Sequence, residues 1–260
     1  MQPEAYLRLA AREDNYWWYR ARRRLGLGLL RRFGVRSGVR AIDIGCGCGG
    51  NLDIFKAYAP ALVVGLDLSP IALSFAQRKT PTACFVRSDL SGDLPFAEGS
   101  FDVATIFNVL YHDWVTDDRA VLQRTGRLVS PGGLVLVFEP ALAVLRRSMD
   151  RVTMGKRRYT VASLRRLAEN AGLDVVFASY FSSFALPSAL GGAVHDRIRM
   201  LFRREPSDDF ASIDFKPLAE GMNRIIFRLA AREADAIVAG RSIPLGVGLV
   251  AVLRRPGSRG

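Results

Sequence analysis

Six residues, Gly45-Cys46-Gly47-Cys48-Gly49-Gly50, follow a short apolar segment. Glycines in such a place let the backbone turn sharply and approach a ligand beside the positive end of a helix. The string satisfies G-x-G-x-x-G, a dinucleotide fingerprint, through Gly45, Gly47 and Gly50. It equally satisfies D-x-G-x-G-x-G, counted from Asp43. The aspartate separates the two readings. A carboxylate two residues before the first glycine repels a pyrophosphate and attracts a ligand that carries an ammonium and a sulfonium. Asp67 then stands at a spacing that places a carboxylate on ribose hydroxyls, and Asp89 follows the next apolar segment, where an adenine amino group could donate to it. Three acids at three successive segment ends line one crevice.

The elements that must position them alternate. Residues 39–44 are a nearly continuous apolar run ending at glycine, the pattern of a buried parallel strand. A helix over 51–58 and a strand over 61–66 follow. Ser69-Pro70 opens a helix, with serine as its cap and proline where a missing N–H costs nothing. Strands are expected over 82–86 and 101–107. Thr116-Asp117-Asp118 starts a helix with Val121, Leu122, Thr125 and Leu128 on one face. Pro131-Gly132-Gly133 turns the chain into a strand over 134–138. Thr160 caps a further helix, stopped by Gly172, before a strand over 174–180. A mostly helical excursion fills 181–241, and 245–253 closes the chain as a strand.

This order predicts an α/β fold: a doubly wound, Rossmann-like, mostly parallel seven-stranded sheet with extra N-terminal helices and a helical insertion before the last strand. The expectation is a single domain: 1–36 as a helical lid, 37–180 as the ligand-binding core, 181–241 as a helical cap, and 242–260 as last strand and tail.

Composition narrows the class. The 260 residues are 49% hydrophobic and 24% charged, enough for a sizeable core, so wholesale disorder is excluded. No run of about 18 apolar residues offers a spanning helix, and the first twelve residues carry acids and aromatics in place of an apolar leader core. A cytoplasmic protein is expected. Three cysteines and two histidines are a poor donor set for zinc, so no metal is expected. The net charge of +12 rests mainly on arginine and keeps an acidic partner open.

Asp43 to Gly49, Val64-Gly65-Leu66-Asp67-Leu68-Ser69-Pro70, Leu94-Pro95-Phe96 through Gly99-Ser100-Phe101-Asp102-Val103, Val109-Leu110-Tyr111-His112 and Arg127-Leu128-Val129-Ser130-Pro131-Gly132-Gly133 follow one another along the chain. Together they resemble class I S-adenosylmethionine-dependent methyltransferases, most of all the type 11 group, over about residues 39–180. Tyr16-Trp17-Trp18-Tyr19 with its arginines, and Ile243-Pro244-Leu245-Gly246, are similar to members from bacterial biosynthetic clusters. Tyr111 departs from the glutamate of many relatives. The resemblance implies S-adenosylmethionine as cofactor and S-adenosylhomocysteine as product. It implies that Asp43, Gly45, Gly47 and Gly49 face the methionine moiety. Asp67 would hold the ribose, Leu68 pack on adenine, and Asp89 with the Leu90 amide read the adenine edge. Asn108 would lie near the sulfonium, and Arg24 or Arg23 would neutralise the cofactor carboxylate.

An acceptor that must lose a proton needs a base, and His112 is the candidate, by pKa and by its place after the fourth strand. The alternative is a ring that shapes the pocket. Tyr16, Trp17 and Tyr19 either lid the site or anchor the first helix; Tyr111 and Tyr159 are further candidates for the substrate side. The sequence favours a small-molecule O-, N- or C-methyltransferase of specialised metabolism. An RNA methyltransferase is the runner-up, supported by charge alone and otherwise disfavoured. A non-methylating cyclase or interaction protein is the third reading. Residues 177–194 are uncharged and lead into a basic stretch, so they are read as strand and pocket wall ahead of a segment lying on a membrane. A homodimer through 181–241 is left open.

Overall fold

The computed structural model describes residues 3–202 and 218–257. Seven strands form one sheet: β1 (Arg40–Ile44), β2 (Leu62–Asp67), β3 (Cys84–Arg87), β4 (Phe101–Phe107), β5 (Val129–Pro140), β6 (Asp174–Phe181) and β7 (Gly248–Arg254). Their spatial order is β3-β2-β1-β4-β5-β7-β6. The first five run parallel, and β7 runs antiparallel to both β5 and β6. The strand order reverses between β1 and β4, so the crevice at the carboxyl ends of these two strands is where a doubly wound sheet takes its ligand.

The helices are α1 (Pro3–Arg12), α2 (Trp17–Arg32), α3 (Asp53–Lys56), α4 (Pro70–Lys79), α5 (Asp118–Leu128), α6 (Ser148–Val152), α7 (Val161–Asn170), α8 (Leu186–Phe202) and α9 (Glu220–Val238). They fill both faces of the sheet. One apolar layer joins Ile42, Ile44, Ile106, Leu122, Leu164 and Leu253; the other joins Leu25, Leu29, Ala41, Phe55, Phe138 and Ile237. The central strands are buried on both sides, which is why they read as unbroken apolar runs.

The helix starts follow side-chain chemistry. Ala72 N–H donates to Ser69 Oγ at 3.2 Å, Ala120 N–H to Asp117 Oδ1 at 2.8 Å, and Thr160 closes a reciprocal capping box with Ser163. Two expected elements are shorter than their patterns. The helix expected over 51–58 contracts to α3, because Leu52, Ile54 and Phe55 bond back only three residues and the chain wraps in tight turns. The third strand starts at Cys84, two residues late, because Ala83 N–H is held by Thr80 O in a turn. The expected N-terminal helices are α1 and α2, separated at residues 13–16. Part of the 181–241 excursion, residues 203–217, lies outside the described residues.

Candidate functional site

The carboxyl rim over β1, β4 and β5 holds ionised groups whose bonds are unmade. Asp43 is fully buried; Thr105 Oγ1 donates to its Oδ1 at 2.6 Å, while Oδ2 has no partner. Burial pushes its pKa up to about 7; the Thr105 bond opposes this, the Asp67 charge adds to it and Arg22 opposes it. Arg22, on α2, is 4% exposed, and its Nε and Nη1 also lack partners. Its guanidinium lies 5.1 Å from the Tyr19 ring centre, 5.6 Å from Phe107 and 5.8 Å from Trp18. Burial pulls its pKa down. A third ion, Glu139, ends β5 and is 1% exposed. It accepts Val109 N–H at 3.0 Å, Leu110 N–H at 2.8 Å and Tyr111 N–H at 3.2 Å, so it pins the loop that follows β4. Burial pushes it up to about 8 against those three bonds.

The glycine loop between β1 and α3 meets this rim. Gly45 has φ +69°, and a Cβ there would come 2.5 Å from the Val109 side chain, so only glycine fits. Gly47 N–H donates to Asp67 Oδ2 at 2.9 Å, and Ser69 N–H to Asp67 Oδ1 at 2.8 Å. A loop that cradles a pyrophosphate keeps its N–H groups for the phosphate oxygens. Here the protein's own carboxylate occupies that of Gly47, and the rim carries further acids. This arrangement disfavours a pyrophosphate at the loop.

Most of the residues picked from the sequence converge on this rim or its edge. Asp43, Gly45, Gly47, Gly49 and Asp67 surround the loop. Leu68, just past β2, keeps its side chain 46% exposed. Asp89 is exposed and accepts Ser91 N–H at 2.9 Å, the bond that chiefly holds its pKa below the usual range. Leu90 is buried, and its carbonyl accepts Arg124 Nη2. Asn108 ends β4 in the left-handed region, φ +55°, its N–H donating to Phe138 O at 2.8 Å. A cavity of about 150 Å³ opens beyond Leu90, lined by Ser91, Trp114, Val115 and Arg124.

Several of the expected residues have partners within the fold. Arg24 is exposed on the far flank of α2 and forks onto Asp235 of α9 at 2.8 and 2.9 Å. Its neighbour Arg23 binds the carbonyls of Glu13, Asp14 and Gly50. Both side chains are taken up by these partners, whereas Nε and Nη1 of Arg22 have none. His112 is bonded to the backbone at Met154 and Thr153, and burial lowers its pKa to about 4. The ring is neutral at working pH and a poor base. Tyr159 spends its phenol on Leu110 O at 3.1 Å and Asp118 Oδ2 at 2.8 Å, which clamps the β4 loop to α5 rather than facing a substrate. Trp17 is buried against Ala21, Ala230 and Phe184, an anchor for α2 rather than a lid. Tyr16 packs on the same cluster, whereas Tyr19 turns toward Arg22. Tyr111 is buried beside His112, and burial raises its pKa.

Sequence reasoning missed Arg22 and Glu139. For Arg22 a signal existed: Trp18, Arg22, Leu25 and Leu29 share one helical face, so a charge interrupts an apolar stripe. It also missed what covers the loop. Leu9 of α1 lies over Gly47, and Cys48 Sγ bonds Tyr6 O at 3.6 Å. Lys79 of α4 holds Glu13 and Asp14 just after α1.

Comparison with known proteins places this geometry. Residues 41–133 match the family model described as a methyltransferase domain. An uncharacterized methyltransferase of Synechocystis is 31% identical over 157 residues, 56% of this chain and 72% of that one. A trans-aconitate 2-methyltransferase of Methylobacterium nodulans is 30% identical over 161 residues, 59% of this chain and 61% of that one. The solved S-adenosylmethionine-dependent methyltransferase of Mesorhizobium loti superposes with a TM-score of 0.57 at 20% identity, covering 94% of this chain and all of that one, which speaks to the fold.

Proposed function

This chain belongs to the class I S-adenosylmethionine-dependent methyltransferases, and we propose that it methylates a small-molecule acceptor of specialised metabolism at the rim between Arg22, Asp43 and Glu139. One observation carries the reading. A buried arginine and a buried aspartate, each with an unmade bond, lie close enough for the arginine's charge to oppose the rise in the aspartate's pKa. An isolated buried charge is costly, so the pair is matched to a ligand that brings both signs. The amino-acid end of the cofactor does so: Asp43 would hold its ammonium and Arg22 its carboxylate.

The remaining groups divide the work. Asp67, already fixed by two backbone N–H groups, would turn its free lone pairs to the ribose. Leu68 would pack on adenine, and Asp89 with the Leu90 N–H would take its edge. When bound, the cofactor supplies a methyl group on an electron-poor sulfur. The protein then has mainly to align the acceptor, and alignment alone can contribute on the order of 7–11 kcal/mol of the barrier. Phe107, Tyr19, Trp18 and Tyr111 give the rim an aromatic wall, which suits an acceptor with an apolar body. The lowered basicity of His112 favours an acceptor whose nucleophile is ready at neutral pH, by a lone pair or an existing negative charge.

Residues 1–36 act as the lid in this reading, through α1 over the glycine loop rather than through Trp17. Calorimetry with S-adenosylmethionine and NADH tests the cofactor assignment. Saturable binding of the first and none of the second is expected; the reverse would overturn it. Release of S-adenosylhomocysteine across a panel of apolar small acceptors and RNA tests the acceptor class, and turnover confined to RNA would overturn it.

A further inference from the structure

Two apolar stripes lie outside the core. On α8, Leu190, Val194 and Ile198 recur every fourth residue and are exposed, while Ala193 and Asp196 turn inward. On α9, Met222, Ile225 and Leu229 are 50%, 53% and 45% exposed, while Ala230, Ala234 and Ile237 take the inner face. Arg224, Arg228 and Arg232 run along the flank of the α9 stripe at four-residue steps, all exposed. Arg224 pairs with Glu220; among the described residues Arg228 and Arg232 enter no ion pair. The α9 stripe lies in the first half of that helix.

A single exposed leucine on a soluble protein needs no explanation, but three large apolar side chains at helical spacing beside a row of arginines do. We propose that the outer face of α9 rests on an anionic lipid bilayer. Met222, Ile225 and Leu229 enter the boundary between headgroups and acyl chains, and the arginine row meets the lipid phosphates. Charge complementarity selects this occupant: the chain carries +12, and the face combines apolar depth with fixed positive charge, the footprint of a helix lying in an interface. A nucleic-acid backbone would use the arginines and leave the apolar stripe wet. Spanning is excluded for the described helices, none of which is long and apolar enough to cross a membrane.

The experiment is co-sedimentation of the full chain with vesicles of phosphatidylcholine alone and with about one-third phosphatidylglycerol. Binding to the anionic vesicles and its decline with salt are expected. Met222→Gln, Ile225→Gln and Leu229→Gln together should weaken binding by about tenfold or more. Arg224→Gln, Arg228→Gln and Arg232→Gln together should weaken it on the order of a hundredfold, each arginine contributing roughly a factor of five. All six positions are exposed, so unchanged circular dichroism and unchanged S-adenosylmethionine affinity are the controls for folding and for the rim. Three results would overturn the proposal. One is a wild type that ignores anionic vesicles. Another is an apolar triple variant that binds them as well as wild type while both are retained equally on RNA, since that is plain polyanion attraction. The last is a dimer in gel filtration that the apolar triple variant dissociates without any vesicle binding, since a second copy then covers the face.

Discussion

Buried charge is handled in opposite ways in two parts of this molecule. On α6, Asp150 accepts Arg158 Nε at 3.0 Å, Arg158 Nη2 at 3.1 Å and Arg147 N–H at 2.7 Å, and Arg158 Nη1 donates to Ala141 O at 2.9 Å. Asp196 nearby is met by Ser148 through N–H and hydroxyl, and by Arg147. Every ion there has its partners within the fold. At the carboxyl rim, Arg22 and Asp43 are buried at least as deeply and leave nitrogen and oxygen atoms unbonded. In the proposed reading, the fold satisfies its ions in one place and leaves them open in the other for a ligand to complete.

The sharpest contrast is therefore in stability. Arg158→Met should cost about 3–5 kcal/mol, because it strands Asp150 in the interior. The same change at Arg22 should leave the ligand-free protein as stable or more stable, since it removes an uncompensated charge. Urea unfolding of the two variants decides the matter. Equal losses at both positions would make Arg22 a structural ion.

The next effect separates the regions by binding. Arg22→Met should weaken S-adenosylmethionine about a hundredfold, the worth of a charge-assisted pair in a dry site. Arg24→Met should leave affinity within about twofold, because that side chain serves an exposed pair with Asp235. Calorimetry on the two single variants reads this directly. Loss of binding at Arg24 with none at Arg22 would invert the assignment.

That pair also marks how far the sequence could be read. Strand ends are legible, because a parallel strand buried on both faces is an apolar run with an abrupt stop, so Asp43 and Asp67 announce themselves by position. The fold follows from the same alternation. Arg20, Arg22, Arg23 and Arg24 crowd one helical turn, however, and which of them points inward depends on how α2 meets the sheet. The apolar face running from Trp18 to Leu29 encodes the answer, but a basic cluster reads as a solvated surface. Glu139 is hidden differently. Its task is to hold three backbone N–H groups of a loop some thirty residues earlier, and no local pattern records a partner so distant.

A smaller effect concerns Asp43 and pH. Its folded pKa of about 7 lies above its ordinary 3.8, so between these values the folded state holds a proton that the unfolded state has lost. Stability of the ligand-free protein should fall as pH rises through that window. An ammonium-bearing ligand prefers the ionised form, so its affinity should rise in the same direction, by about tenfold between pH 6 and pH 8. Asp43→Asn should abolish both slopes and bind more weakly than wild type does even at pH 6. Titration calorimetry across that range is the measurement. A slope that survives in Asp43→Asn would move the titration to Glu139, which burial raises to about 8.

A small change should also come from the residue that the sequence offered as a base. His112 keeps Nδ1 without a partner, yet its ring is already neutral well below pH 6, and its bonds run to the backbone at Thr153 and Met154. A general base contributes about 10²–10⁴-fold when its pKa lies near the working pH. At about 4, this ring offers little of that driving force. His112→Gln should therefore lower turnover by less than about threefold and leave the rise of activity between pH 6 and pH 8 in place. Steady-state rates of both proteins across that range, at saturating acceptor, supply the comparison. A hundredfold loss, with the pH profile flattened, would show that acceptor binding opens the pocket, restores the basicity of the ring and makes deprotonation part of the reaction.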